Sequence, residues 1–195
     1  MSSIEEAVVA LQSGQLVVMP TDTVYGVAAR LEPGAVEAVF EAKGRPPDRP
    51  LPVLAADIEG LRGVASFDRR AQALAGRFWP GPLTMVLPRA QGFTVDLGRG
   101  GKDSVAVRIP KQPLAVELLR RTGPLAVTSA NHSDEPPALT IAQARSALGG
   151  AVSVYLDGGE LNARPSTVVS LLDGLQELRA GDLPFEDILS VVASL

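Results

Sequence analysis

The stretch GAVEAVFEAKGRPPDRPLPVLAA, residues 34–56, passes from a helical pattern through a charged loop into a strand pattern. Its first ten residues repeat apolar side chains at helical spacing, whereas LPVLAA (51–56) is a short apolar run typical of a buried strand. Between them, residues 43–54 hold one lysine and two arginines among four prolines. A helix joined to a buried strand predicts an α/β unit, and cations clustered in so stiff a loop indicate an anionic ligand.

The rest of the chain alternates helix and strand patterns in the same way, which predicts an α/β fold with a mixed sheet and flanking helices. Further helices are predicted over 3–13, 68–78, 113–121, 140–148 and from Pro184 onwards. Ser3, followed three residues later by Glu6, resembles a capping box at the start of the first of them. Further strands are predicted over 16–20, 83–87, 104–109, 125–129, 152–156, 166–171 and 176–179. The sequence has no internal repeat and no shift in composition, so its 195 residues predict a single domain, residues 1–195.

Composition narrows the possible chemistry. The chain has no cysteine, which excludes disulfides, thiolate catalysis and cysteine zinc sites, and its single histidine, His132, argues against a histidine metal cluster. A formal net charge of -4 disfavours a protein that binds chiefly by neutralising nucleic-acid phosphates. Two glutamates stand where a secretory signal would be basic, and no apolar run approaches about 18 residues. We therefore expect a cytosolic protein, without membrane association, that binds a small anion.

Polar residues follow two of the predicted strands. PTDTVYG (20–26) comes directly after the first strand, and VTSANHSDEPP (127–137) begins at the end of another. Ligands of α/β folds commonly bind at strand ends. The same residue types also form simple hydrogen-bonded turns, so each segment alone is compatible with either role.

Cations and further hydroxyl groups also lie at the ends of predicted elements. Arg108 is one residue from the end of a largely apolar strand, where an arginine requires a carboxylate or phosphate partner. That partner can be a substrate or a structural carboxylate. Ser166 and Thr167 begin a later strand, and Arg179 ends the next one. Taken together, these positions favour one shared anion site.

Six segments, in this order and with these separations, resemble the YrdC/TsaC family, the threonylcarbamoyl-AMP synthases. They are PTDTVYG (20–26), KGRP (43–46), WPGPLT (79–84), VAVRIP (105–110), TSAN (128–131) and PSTVV (165–169). The resemblance spans residues 5–182, and the chain length resembles the short, single-domain bacterial form. It implies an open, twisted, mixed sheet around a basic concave cavity, with the loop at 43–49 as one wall facing the phosphates of ATP.

The resemblance also implies a reaction. L-Threonine, bicarbonate and ATP, with Mg²⁺ on the phosphates, would give L-threonylcarbamoyladenylate and pyrophosphate, which makes the enzyme a nucleotidyltransferase. Other proteins would then transfer the threonylcarbamoyl group to adenosine 37 of tRNAs that read codons beginning with A, forming t6A. The residues agree, because a chain without cysteine or an obvious nucleophile and base must rely on positioning and electrostatics.

The family motifs assign roles to individual residues of this chain. The residues that would hold the nucleotide and the intermediate, and are counted as catalytic, are Lys43, Arg45, Ser129 and Asn131. The other residues that match ATP contacts are Arg49, Ser104 and Arg179. The residues that match threonine contacts are Thr23, Arg108 and Ser166. No protein ligand for the metal follows from the resemblance.

Several positions depart from the family pattern or leave a choice open. Leu54 stands where long relatives place a histidine that contacts threonine, Pro165 replaces a glutamate, and Pro137 replaces a serine that often contacts ATP. Asp22 can be a general base, can help place magnesium, or can be structural, which is the commoner role for an aspartate in such a turn. These departures concern the details of binding and leave the charged residues in place.

Two other functions are compatible with the same features. A non-catalytic RNA-binding module could hold a phosphate backbone in a basic concavity, and it would bind RNA in a strongly salt-dependent way. An enzyme of the same fold could instead make a different carbamoyl-adenylate. Substrate competition separates these possibilities from a threonine-dependent synthase, which can itself bind RNA weakly.

Overall fold

The computed structural model describes residues 2–99 and 103–195, and within them nine strands form one mixed sheet. The strands are β1 (Val17–Met19), β2 (Gly26–Arg30), β3 (Val53–Leu54), β4 (Leu83–Pro88), β5 (Ser104–Arg108), β6 (Leu125–Ser129), β7 (Val154–Tyr155), β8 (Thr167–Ser170) and β9 (Gln176–Arg179). Their spatial order is β7-β1-β2-β6-β3-β5-β4-β8-β9. Three neighbouring pairs are parallel (β1 with β7, β3 with β5, β4 with β8) and the others antiparallel. The predicted α/β fold with an open mixed sheet is confirmed.

Helices flank this sheet. They are α1 (Ile4–Gln12), α2 (Pro33–Lys43), α3 (Ile58–Arg62), α4 (Arg69–Phe78), α5 (Pro113–Thr122), α6 (Ile141–Leu148) and α7 (Phe185–Ala193), with a 3-10 turn at Gly149–Ala151. Their starts follow from local chemistry: Ser3 and Glu6 form the predicted capping box, and Asp68 accepts a hydrogen bond from the Ala71 amide. None of these helices, in the part of the chain that the structure describes, is long and apolar enough to cross a membrane.

Alternate residues of the central strands enter two separate apolar cores. On β1 and the residue before it, Leu16 and Val18 belong to the larger core, whereas Val17 and Met19 belong to the smaller one. Buried residues of α1 and α5 contribute to the smaller core, and those of α2, α3, α4, α6 and α7 contribute to the larger. Each strand residue therefore has a defined face, because side chains alternate along a strand.

The helices α1 and α5 leave part of their face of the sheet uncovered. The smaller core contains residues of β1, β2, β3, β6 and β7 but none from β4, β5 or β8. On β5, Val105 and Val107 are in the larger core, so Ala106 and Arg108 point to the opposite face. The uncovered half of that face is the floor of a cavity.

Strand register brings the predicted site segments together at this cavity. Gly26 of β2 pairs with Ser129 of β6, and Leu54 of β3 pairs with Arg108 of β5. At Gly26 a Cβ atom would lie 2.7 Å from Cγ1 of Val127, so glycine avoids a clash with this side chain of β6. The ends of segments distant in sequence are thereby fixed side by side.

Two elements are not predicted by the sequence patterns, and two predicted strands are reduced to two residues each. Strand β2, GVAAR, is built from small residues with little intrinsic strand preference, and its pairing with β1 and β6 determines its conformation. Helix α3 has five residues, too few to show a helical period. The predicted strand over 51–56 is reduced to Val53–Leu54, and Pro52 before it lacks the amide that a strand residue donates. The predicted strand over 152–156 is reduced to Val154–Tyr155.

Candidate functional site

A cavity of about 380 Å³ lies on the uncovered face of the sheet. Its volume is within the range of small-molecule sites. Among the described residues that line it, the charged side chains are Arg45, Arg108, Arg179 and Glu135. The polar uncharged side chains that line it are Thr21, Thr23, Thr84, Thr128, Ser129, Asn131 and Ser166. Three guanidinium groups against one carboxylate suit an anionic ligand.

The turn after β1 presents Thr23 to the cavity with a fixed hydrogen-bond polarity. Thr21 donates its only hydroxyl proton to the carbonyl oxygen of Val24 at 2.6 Å, so in the 3.0 Å contact between the two threonine hydroxyls Thr23 is the donor. The Thr23 oxygen also accepts from Arg108. The Thr23 proton is therefore used in the hydrogen bond to Thr21, and the Thr23 hydroxyl can only accept a hydrogen bond from a ligand.

Arg108 is held by three hydrogen bonds at the end of β5, where its side chain is 6% exposed. Nε donates to the carbonyl oxygen of Gly81 at 3.0 Å, Nη1 to Oγ1 of Thr23 at 3.0 Å, and Nη2 to Oδ1 of Asp22 at 2.7 Å. Asp22 Oδ1 also accepts from the backbone amide of Lys111 at 2.9 Å. Burial lowers the pKa of Arg108, and the Asp22 carboxylate opposes this effect.

The remaining donors of Arg108 suit a carboxylate. A guanidinium has five N–H groups, two on each terminal nitrogen and one on Nε. The three bonds to Gly81, Thr23 and Asp22 leave one N–H on each terminal nitrogen without a partner among the described residues. Arg108 lines the cavity, so this pair of donors can bind an anionic ligand with two hydrogen bonds.

A second group of donors comes from β4, β8 and β9. Oγ of Ser166 lies 2.8 Å from Oγ1 of Thr84, and Nη2 of Arg179 donates to this Ser166 hydroxyl at 3.1 Å and to the Ser166 carbonyl oxygen at 2.8 Å. Gly181 permits this arrangement, because a Cβ there would lie 2.4 Å from the Ser166 carbonyl carbon. Whichever hydroxyl of the Thr84–Ser166 pair donates, the other retains a proton for a ligand.

The proline-rich loop after α2 contributes Arg45 to the cavity wall. Its Nε donates to the carbonyl oxygen of Arg49 at 2.8 Å, and its Nη2 donates to the carbonyl oxygen of Pro50 at 3.3 Å. Nη1 takes part in neither of these two hydrogen bonds. Arg49 does not line this cavity, because its Nη1 is paired with Asp134 at 2.7 Å and both side chains are more than half exposed. Arg45 is thus the cation that the loop presents to a ligand.

Lys43, at the end of α2, holds the loop after β6 in place without lining the cavity itself. The residue is 2% exposed, and its ammonium donates to the carbonyl oxygens of Ser129 and, at 2.5 Å, Asn131. Asn131 in turn donates from Nδ2 to the carbonyl oxygens of His132 and Glu135, and its Oδ1 is buried without a partner among the described residues. These contacts fix the loop that carries Ser129 and Asn131.

The three cavity arginines lie close enough to affect one another. Partial burial lowers the pKa of Arg179, and the Arg108 guanidinium lowers it further. Burial also lowers the pKa of Arg45, with further lowering by Arg49 and Arg179. Mutual repulsion of this kind is relieved when an anion binds among the cations.

Lys43 predicts a pH dependence of stability that can be measured. Burial, with a smaller contribution from Arg45, lowers the pKa of Lys43 from 10.5 to about 8. Between these two values the unfolded chain binds more protons than the folded one, so stability rises with pH there and is flat below about pH 8. Relative to Lys43→Met, the wild type should gain at most about 3 kcal/mol of unfolding free energy across this window.

Urea unfolding of the wild type and Lys43→Met at several values between pH 7 and pH 10 checks this prediction. Taking the difference between the two proteins cancels titrations that they share. If the difference in unfolding free energy stays constant, or falls as the pH rises, protonated Lys43 does not destabilise the folded protein and the prediction is wrong.

Comparison with known proteins identifies the family. The model of the Sua5, YciO and YrdC proteins, described as "Telomere recombination", matches residues 9–181. The chain belongs to the Sua5/YciO/YrdC family. A relative from Mycobacterium tuberculosis, provisionally named a threonylcarbamoyl-AMP synthase, is 45% identical over 97% of this chain and 88% of its own length.

A second relative and a solved structure agree with this family. The threonylcarbamoyl-AMP synthase of Chromohalobacter salexigens is 38% identical over 88% of this chain and 94% of its own length. The crystal structure of Pyrococcus abyssi Sua5 complexed with L-threonine has a TM-score of 0.91 and 39% identity, and the match covers 98% of this chain and 58% of the Sua5 chain. The present chain is therefore similar in extent to the short members of the family and spans little more than half of this long one.

The structure brings most of the predicted site residues of this family member to one cavity. The predicted residues that line it are Thr23, Arg45, Arg108, Ser129, Asn131, Ser166 and Arg179. Lys43, Arg49 and Ser104 are not among its lining residues. Ser104 lies at the far end of β5 from Arg108, and its carbonyl oxygen accepts from Arg89 at 3.2 Å.

The three departures from the family pattern, Leu54, Pro137 and Pro165, all line the cavity, so they alter its wall directly. Sequence reasoning did not single out Thr84 or Glu135, which line it as well. Thr84 lies within the WPGPLT segment, and its hydroxyl near the start of an otherwise apolar strand was the available signal. Glu135 carries no comparable signal, because acidic residues are common in exposed turns.

Proposed function

We propose that this protein is an L-threonylcarbamoyladenylate synthase, which forms threonylcarbamoyl-AMP and pyrophosphate from L-threonine, bicarbonate and ATP for t6A modification of tRNA. The observation that carries the proposal is the convergence of three arginines and several hydroxyl groups on one cavity, in a chain that matches synthases of this family over almost its whole length. The reaction brings anionic reactants together, and the cavity supplies cations for them.

The reaction requires the protein to position the reactants and to stabilise the negative charge that develops. Threonine's amine reacts with bicarbonate to give a carbamate and water. A carbamate oxygen then attacks the α-phosphorus of ATP in line and displaces pyrophosphate. Both partners of this step are anions, and negative charge grows on the departing pyrophosphate. Fixed guanidinium groups stabilise that charge without having to reorganise during the reaction.

Threonine is assigned to the end of the cavity near Arg108. The free N–H groups of Arg108 and the spare hydroxyl proton of the Thr84–Ser166 pair suit a carboxylate. The Thr23 hydroxyl, available only as an acceptor, suits the hydroxyl or amino group of threonine. Crystallisation of P. abyssi Sua5 with L-threonine agrees with a threonine site in this fold.

ATP is assigned to the walls formed by the proline-rich loop and the loop after β6. Arg45 and Arg179 are assigned to the phosphates, with Ser129 as a further polar contact. The unpaired Oδ1 of Asn131 can only accept, so it suits an N–H or O–H group of the nucleotide. Lys43 fixes the loop after β6 and keeps one N–H for the nucleotide or the intermediate. Arg49 and Ser104 are assigned to ATP outside the cavity, and Arg49 has to leave Asp134 to make its contact.

Magnesium is assigned to the phosphates of ATP. Among residues 2–99 and 103–195, no group of three or more His, Cys, Asp or Glu side chains could hold a metal ion. When bound, the ion neutralises phosphate charge, which adds to the effect of the arginines.

The product requires a partner. Threonylcarbamoyl-AMP is a mixed anhydride and serves as an activated donor, so we expect proteins that accept it and transfer its threonylcarbamoyl group to tRNA. This role places the protein in the cytosol, and any direct RNA binding would be weak, since the net charge is -4.

Ligand protection against heat tests the threonine site. Threonine should raise the melting temperature in the presence of a non-hydrolysable ATP analogue by roughly 5 °C or more at 100 times its Kd, because it binds only the folded protein. Serine should protect less. Valine, which has the shape of threonine without its hydroxyl, is the matched control, and equal protection by valine or alanine would contradict a site that binds the hydroxyl.

A further inference from the structure

Asp22 connects parts of the fold that are distant in sequence and in the sheet. Its Oδ1 accepts from Nη2 of Arg108 at 2.7 Å and from the backbone amide of Lys111 at 2.9 Å. Asp22 lies just after β1, whereas Arg108 ends β5, and β2, β6 and β3 lie between these two strands in the sheet. The carboxylate therefore joins the turn after β1 to the end of β5 across the cavity floor.

The Asp22 carboxylate determines the direction of a buried guanidinium. Arg108 is a long side chain with many rotamers, and at 6% exposure its charge has little access to water. The other two partners of its guanidinium, the Gly81 carbonyl oxygen and the Thr23 hydroxyl, are neutral. Asp22 alone among the three supplies the opposite charge, so its hydrogen bond is the strongest restraint on the guanidinium plane.

We propose that Asp22 is a positioning residue, which holds Arg108 so that its two free terminal N–H groups face the cavity as a pair. The expected consequence of this positioning, binding of the threonine carboxylate, rests on the proposed function. It assigns Asp22 neither the general-base role nor the magnesium role. Asp22 is not among the residues that line the cavity, whereas a general base or a magnesium ligand has to reach the reactants there.

Two substitutions separate these roles through steady-state kinetics. Asp22→Ala removes both hydrogen bonds and should raise the KM for threonine about 30-fold, whereas Asp22→Asn keeps an acceptor oxygen and should raise it only about 5-fold. In both variants kcat at saturating threonine, the KM for ATP and the magnesium requirement should stay within about 3-fold of the wild type. Glu5→Ala, which breaks an exposed ion pair with Arg121, is the matched control.

Each alternative role predicts a different result. A general base would lose about 100-fold or more in kcat with the KM for threonine unchanged. A magnesium ligand would raise the magnesium requirement, and a purely structural carboxylate would lower the melting temperature and affect both substrates equally. Any of these three outcomes would overturn the positioning role.

The restraint on Arg108 can also be observed without substrate. The Nε–H resonance of Arg108 in a ¹⁵N spectrum should be sharp and protected from solvent exchange in the wild type, and broadened in Asp22→Ala at a temperature where that variant is folded. An unchanged resonance in Asp22→Ala would refute the inference whatever the enzyme activity. Conversely, if the wild-type protein releases no threonine-dependent pyrophosphate, the proposed function fails while this spectrum still decides whether Asp22 holds Arg108.

Discussion

Replacing Arg45 with alanine is expected to slow formation of the adenylate about 100-fold or more while the protein stays folded. Arg45 lines the cavity from a loop, and its Nη1 is directed neither to Arg49 nor to Pro50. The substitution removes charge-assisted hydrogen bonds to phosphate and little apolar packing. Pyrophosphate release under saturating substrates, together with a thermal melt, measures both expectations.

Two further variants make the Arg45 result specific. Arg62→Ala removes an arginine of α3 that pairs with Glu59 on the surface, and it should behave like the wild type. Arg49→Ala should have an intermediate effect, because Arg49 must leave Asp134 before it can contact ATP. If Arg45→Ala retains activity within a few fold of the wild type, the proline-rich loop does not bind the phosphates.

Arg108→Lys is expected to raise the threonine concentration needed for half-maximal rate about 30-fold, with a much smaller change for ATP. Lysine keeps the positive charge, but an ammonium cannot provide the planar pair of N–H groups that remains free on Arg108. It also cannot reproduce the three fixed contacts to Gly81, Thr23 and Asp22. Apparent affinities for both substrates, measured beside a thermal melt, test this prediction.

The competing role for Arg108 is purely structural, since the structure shows it in an ion pair with Asp22. That role predicts a lower melting temperature and equal losses for threonine and ATP. Arg121→Lys, which alters an ion pair with Glu5 on the surface, controls for the substitution itself. A destabilised Arg108→Lys protein with unchanged threonine dependence would contradict the assignment of Arg108 to the substrate carboxylate.

Much of the fold could be predicted because local patterns and tertiary packing agree in most elements. Strand β6 and strand β9 have the predicted bounds, and the capping box at the start of α1 is present as expected. Strand β2 could not be predicted, because its glycine and alanines acquire their strand conformation only between two neighbours. Local signals were sufficient wherever the residues themselves favour the observed structure.

The sequence indicated most of the candidate residues that line the cavity, but it did not indicate the contacts between them. Arg108 could be placed at a strand end from the sequence, but its partner Asp22 lies 86 positions away, and only the order of strands in the sheet brings them together. Lys43 could be predicted as a nucleotide-holding residue from its motif, but its contacts to two backbone carbonyl oxygens of the loop after β6 could not. Such pairings depend on tertiary structure, which a single sequence does not report.

The most direct test of the central claim is the mass of the product formed from ATP, L-threonine and ¹³C-bicarbonate. We expect an adenylate that contains threonine and one labelled carbon, formed together with pyrophosphate, and its mass should rise by one unit relative to unlabelled bicarbonate. Omission of threonine or bicarbonate should abolish it. Pyrophosphate release that is independent of threonine, or an adenylate that carries no label, would contradict the assignment of this cavity to threonylcarbamoyl-AMP synthesis.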